Sequence, residues 1–219
     1  MKLNKMLALA LSGVMAVSML AGCSGAPSNG EEGTEVQPTT SNAVSVMNDA
    51  QDVVKFAADS DFETALAAAA KDAKYTDVNG ANYSAVGVAT TDKVYASLAK
   101  KLPVSDGLVS SSAAQISFAG AAAGTVTTKT TLFKIENEGL TEEAALKLVA
   151  NKMDMDDTYP TVISQWNAHD NKLEYYEASY TGSVSIVTVN AADEGKTASA
   201  YYIAVSVTQS IARDTIVTK

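Results

Sequence analysis

One cysteine, one histidine, one tryptophan and four prolines are spread over 219 residues, and each scarcity excludes something. With Cys23 alone, no disulfide can close within the chain, so the fold rests on apolar burial and hydrogen bonding. A single imidazole, His169, rules out zinc sites and mechanisms that need a histidine pair. Arginine occurs once, at Arg213, and 16 basic residues stand against 25 acidic ones for a net charge of −9. That surface repels phosphate backbones and anionic head groups, which sets nucleic-acid binding aside. Motifs are also missing. No Gly-x-Ser-x-Gly elbow occurs, Ser110-Ser111-Ser112 has no lysine at the spacing that serine acyl-transferases use, and Gly120 to Gly124 lacks the Gly-Lys-Ser/Thr ending of a phosphate loop. No repeat of fixed period appears. No cofactor is expected.

What is present begins at the N-terminus. Lys2 and Lys5 precede an apolar run from Met6 to Ala21, broken only by Ser12, Gly13 and Ser18, and then come Ala21, Gly22 and Cys23. This is the layout of an export signal with small residues at its cleavage site. Leu20-Ala21-Gly22-Cys23 resembles the lipobox of bacterial lipoproteins. The resemblance implies cleavage before Cys23, a diacylated thiol, and a mature protein held to the cell membrane on its extracellular or periplasmic side. An ordinary secretory peptide or an uncleaved membrane helix are the other readings, although 16 residues is short for a span. Loss of Lys2 and Lys5 with the signal takes the net charge to −11. Attachment would then come from acyl chains, at about 0.8 kcal/mol per buried methylene, and not from a basic patch.

The expected organisation is a signal at 1–22, a lipidated Cys23 with a flexible tether at 23–42, and one globular domain at 43–219. The tether reading rests on three glycines, two prolines, three glutamates and almost no large apolar residue between Ser24 and Asn42. From Ala43 the spacing of Val44, Met47, Ala50, Val54, Ala57 and Ala58 predicts an amphipathic helix. Ser60-Asp61-Phe62-Glu63 reads as a capping box opening a second helix through Ala73, with Phe62, Leu66, Ala69, Ala70 and Ala73 inward. Tyr83 to Thr90 reads as a strand and Lys93 to Leu102 as a short helix stopped by Pro103. Ala114 to Phe118 and Thr125 to Ile135 read as a hairpin, and Thr141 caps a helix whose core face is Ala145, Leu146, Val149 and Met153. Pro160 to Asn167 fits a short helix slightly better than a strand. Leu173 to Val189 and Tyr201 to Val207 alternate strongly around the turn Asp193-Glu194-Gly195, with Thr181-Gly182 as a turn or a bulge in the first arm. The fold class is therefore α+β: N-terminal helices packed on a largely antiparallel sheet with a long C-terminal hairpin.

Three groups are candidates for function. His169 lies in the turn-like Ala168-His169-Asp170-Asn171 beside Trp166, where a solvated turn residue competes with a functional imidazole. Asp154, Asp156 and Asp157 could offer hard oxygens to calcium. Tyr159 and Gln165, however, stand where an EF-hand needs its glycine and its bidentate glutamate, so a solvated run at a helix end competes with the metal site. Tyr175 and Tyr201, with Tyr176, Tyr180 and Tyr202, form a cluster that suits either sheet packing or a binding face. Trp166 to Leu173, followed by Val184 to Val189 and Tyr201 to Val207, resembles the closing segment of CAP-superfamily secreted domains, which are α-β-α sandwiches with a Trp, a His and an Asn near a helix end. That family's cavity uses a second histidine, which this chain lacks. The functional expectation is a lipid-anchored, surface-exposed binding or structural module of the envelope, not an enzyme, which would meet an envelope protein, a peptide or a glycan. A degenerate CAP-like domain and an unrecognised envelope hydrolase are the alternatives.

Overall fold

The computed structural model describes residues 33–38, 42–103, 107–109, 116–118 and 122–216, so the lipobox and Cys23 lie outside the described residues. Among the described residues, seven strands and six helices follow one another as β1 (Gly33–Pro38), α1 (Ala43–Asp49), β2 (Val54–Ala57), α2 (Ser60–Ala70), α3 (Tyr75–Val78), β3 (Val86–Gly87), α4 (Lys93–Lys101), β4 (Val126–Glu136), α5 (Glu142–Met153), α6 (Met155–Thr158), β5 (Val162–Asn167), β6 (Lys172–Asp193) and β7 (Lys196–Ile216). The fold is α+β, with a largely antiparallel sheet built around the long β6–β7 hairpin. Glu194 and Gly195 turn it, both at positive φ, as a two-residue turn between right-twisted strands requires.

β6 is 22 residues long and has three different partners along one edge. β5 pairs antiparallel with residues 172–177, β2 parallel with 180–183, and β1 antiparallel with 187–192. Its other edge carries β7, followed by β4 and the short β3. Both faces of this sheet are covered. Tyr201, Ile203, Val205 and Val207 bury themselves with α1, α5 and α6 on one side. Tyr202 and Ala204 do so with α2, α3 and α4 on the other. The alternation of β7 thus feeds two cores, which is why Ala200 to Val205 is apolar without a break. Among the described residues no helix is long and apolar enough to cross a membrane.

Several expectations fail locally. The helix expected from Ala43 to Ala58 stops at Asp49 and becomes β2. Gln51 serves the break: its Nε2 donates to the carbonyls of Met47 (3.3 Å) and Val54 (2.7 Å), and its Oε1 accepts from the amides of Val53 (2.9 Å) and Val54 (2.6 Å). Asn48 then pairs with both the amide and the carbonyl of Phe56 at 2.9 and 3.1 Å, standing in for a neighbouring strand. Part of the expected tether, Gly33–Pro38, is an edge strand whose Val36 packs on the second core. Pro160 to Asn167 holds a strand, not a helix. Residues 116–118 are irregular, so β4 forms no hairpin with them and pairs with β7 instead. Asp59, not Ser60, caps α2.

Candidate functional site

The segment from Trp166 to Leu173 is the turn of the β5–β6 hairpin, so Trp166 and His169 do not flank a helix end as the CAP resemblance implied. Asn167 builds this turn. Its Oδ1 accepts from the amides of His169 (3.0 Å) and Asp170 (3.2 Å), and its Nδ2 donates to Glu174 at 3.0 Å and Asp170 at 3.2 Å. Lys172 sits 3.2 Å from Glu174 and 3.7 Å from Asp170. Tyr176 donates a short hydrogen bond to Glu174, which first and most strongly holds that carboxyl below the usual glutamate range. His169 itself is exposed at the tip.

Across the hairpin, Trp166 faces Leu173, Ser164 faces Tyr175 and Val162 faces Glu177. Trp166 is 58% exposed, Leu173 47% and Val162 44%, while Tyr175 is half-buried. One face of the hairpin therefore presents a partly apolar strip with the indole at its turn end. Tyr201 does not belong to it. That ring is only 8% exposed and its hydroxyl donates to the Leu140 carbonyl at 2.9 Å. Tyr176, Tyr180 and Tyr202 are likewise core residues, so the tyrosine cluster is mostly packing and only Tyr175 lies beside the strip.

The acidic run is divided by the backbone. Asp154 closes α5 in the left-handed conformation, and Asp156 and Asp157 fall in the first turn of α6, where negative charge suits the helix dipole. Asp156 accepts from the Asp52 amide at 3.3 Å. Among the described residues no three His, Cys, Asp or Glu side chains come together as a metal ion would require, so the calcium reading of Asp154, Asp156 and Asp157 gains no geometry.

A second polar group escaped the sequence reading. Asp92 caps α4, accepting from the Val94 amide at 2.8 Å, and is nearly buried at 6% exposure. Its other oxygen receives the Tyr202 hydroxyl at 3.1 Å and lies 3.5 Å from Lys134 Nζ. Lys134 also donates a short bond to the Asp77 carbonyl. Burial raises the Asp92 carboxyl above the usual aspartate range, and Asp77 adds to this, while Lys134, Val94 and Tyr202 oppose it. Burial, and then the Asp92 charge, push the Tyr202 phenol up. Asp77, Asp92 and Lys134 border a hollow of about 300 Å³ beside β3. Both oxygens of Asp92 are engaged, so the cluster ties α3 and α4 to the sheet. The cap signal in Thr91-Asp92-Lys93 was legible, but the partner 42 residues away was not. A larger open cleft of about 860 Å³ lies nearby, toward the β6–β7 turn, bordered by Glu35, Glu136, Glu138, Asn79, Asn137 and Asn190.

No family model matches this chain, and no curated protein or solved structure matches it either. Its class is therefore defined by its own geometry: a two-faced α+β domain with an exposed aromatic hairpin and a saturated buried ion pair.

Proposed function

We propose that this chain is a lipid-anchored protein of a bacterial cell envelope, displayed outside the cytoplasm, whose domain serves as a binding or structural module and not as a catalyst. The observation that carries this reading is Leu20-Ala21-Gly22-Cys23 at the end of the apolar run, with the chain's only thiol placed where a lipobox needs it. The arrangement of side chains favours binding over catalysis. The one imidazole stands on a turn held by Asn167, the Asp92 carboxylate, its pKa raised by burial, is spent on a cap and an ion pair, and an indole is offered to solvent. Nine residues, 24–32, separate Cys23 from β1, which joins β6 near the β6–β7 turn, while the indole lies toward the opposite end of β6. The anchored end and the aromatic end are thus opposite ends of one long strand.

Mass spectrometry of the protein extracted from native membranes is expected to find a diacylated residue 23 at the mature N-terminus. Cys23→Ala should shift the protein out of the detergent-extracted membrane fraction, because no other thiol can take the lipid. An intact Met1, or an unmodified thiol on a membrane-bound chain, would sink the proposal.

A further inference from the structure

We propose that two copies of this chain pair edge to edge through β5, in antiparallel register about Ser164, with Trp166 of each copy seated beside Val162 of the other. Three observations meet here. First, β5 is an edge: among the described residues its only ladder partner is β6. Sheet edges in natural proteins are usually guarded by charge, proline or a cover. β5 reads Val-Ile-Ser-Gln-Trp-Asn and carries no charge at all, in a chain of net charge −9. Along β5 itself, like-charged copies can meet without a charged side chain on the strand.

Second, the strand is complementary to itself. With Ser164 opposite its own copy, Val162 falls opposite Trp166 and Ile163 opposite Gln165, so every pair shares a face because side chains alternate with period two. Val162 and Trp166 are both on the exposed face, and aromatic rings opposite β-branched residues are among the favourable cross-strand pairs.

Third, the surface next to Val162 has a recess. The register shift between Tyr176 and Ala178 opens a hollow of about 430 Å³, bordered by Val162, Glu177, Ala178, Ser179, Ser210 and Ile211. Glu177 is the cross-strand neighbour of Val162, and Ser179 pairs with Ser210, so the recess lies on the inner side of Val162, away from the free edge, and leaves Val162 standing as a ridge against which the partner's Trp166 can rest. Trp166 and Val162, related by a two-fold axis through Ser164, form an isologous contact in which each copy supplies both parts. A six-residue edge with one anchor on each side is small, so the pairing is weak in dilute solution and is favoured when copies are crowded on one surface.

The test is disulfide trapping in the full chain, in detergent micelles and in membranes. Ser164→Cys places two thiols directly across the axis, within the range that a disulfide spans. Val162→Cys is the register control, because its two copies would sit about 13 Å apart along the strands, too far to bridge. The parent chain, with Cys23 alone, gives the background. The expected result is a Ser164→Cys dimer at least roughly tenfold above both controls, reduced about tenfold by adding Trp166→Lys or, independently, Val162→Lys. Thermal melting of the Lys variants checks the fold, which the exposed positions should leave intact. Dimer yields equal among Ser164→Cys, Val162→Cys and the parent would overturn the proposal. So would trapping that is indifferent to both Lys variants. Shielding of Trp166 fluorescence by peptidoglycan fragments or lipid vesicles, with Ser164→Cys remaining monomeric, would assign the face to a foreign ligand and overturn it as well. The detergent arm needs no acylated Cys23, because the parent chain reports any free Cys23 thiol, so failure here and failure of the lipoprotein reading are separable.

Discussion

Gly182→Ala lowers the unfolding free energy by about 2–3 kcal/mol, and Gly182→Val by roughly 4 kcal/mol or more, although alanine and valine are otherwise better strand residues than glycine. The reason is a close approach at the middle of β6. A Cβ on residue 182 would lie 2.7 Å from Cε1 of Phe56 and 2.8 Å from the carbonyl oxygen of Ser206. Phe56 is the ladder partner of Gly182 on β2, and its ring lies over the glycine in the first core. Ser206 is backbone of the central strand β7 and cannot swing aside. The methyl therefore forces either the ring or the sheet to move. Phe56→Leu in the Gly182→Ala background should recover part of the loss, since it relieves the ring but not the carbonyl, and a double-mutant cycle would show the two sites coupled. Denaturant midpoints measure all three. A Gly182→Ala change under about 0.5 kcal/mol would show that β6 and β2 are not this tightly packed.

The same glycine shows where sequence reading ends. Thr181-Gly182 reads as a turn or a bulge because glycine in a strand pattern signals an irregularity, yet β6 passes through without a register shift there. The shift comes instead between Tyr176 and Ala178. Glycine marks a neighbour's closeness, and the neighbour, Phe56, is 126 residues away. Strictly local signals were legible. The Thr141 cap, accepting from the Ala144 amide at 3.2 Å, opens α5, and its face of Ala145, Leu146, Val149 and Met153 is fully buried. The alternation of β7 and the turn before it were equally plain.

Elements set by tertiary partners were not. Nothing in Gln51 announces that its side chain will absorb two carbonyls and two amides at a helix-to-strand break, so the apolar spacing through Ala58 read as one helix. β5 has Val162, Ile163 and Trp166 at helical spacing, and Val162 and Trp166 at the exposed positions, which reverses the inside–outside rule that would have marked a strand. Gly33–Pro38 looked too polar to fold because an edge strand needs hydrogen-bond partners more than burial. Of the candidate site, Trp166 was named, but the residues that face it across the hairpin and the recess beyond Val162 depend on register, which composition does not encode. Tyr201 misled for the complementary reason, since a tyrosine in a strand gives no sign of which core it enters.

Asp92→Ala is expected to cost about 2–4 kcal/mol at neutral pH, and Asp92→Asn considerably less, because the two variants remove different things. Alanine abolishes the cap of α4, about 1 kcal/mol and up to 2, and removes an acceptor of the buried Tyr202 hydroxyl, worth roughly 1–3 kcal/mol more. Asparagine still caps and still accepts, losing only the charge that faces Lys134 at 3.5 Å. The pH dependence separates charge from shape. Burial holds the carboxyl of folded Asp92 above its ordinary value of 3.8, so the folded chain keeps this proton to a higher pH than the unfolded chain does. Stability contributed by this group is therefore fully present below pH 3.8 and declines as pH rises through the folded value. Other carboxylates, such as Glu174 with its lowered pKa, act in the opposite direction, so the signature lies in the difference between proteins. Asp92→Asn should lose least relative to wild type at neutral pH and comparatively more as pH falls toward 3.8, where the wild-type carboxyl becomes neutral in both states. Denaturant titrations of both proteins across that acid range would measure it. A difference that stays flat with pH would mean that Lys134 fully compensates the burial of Asp92.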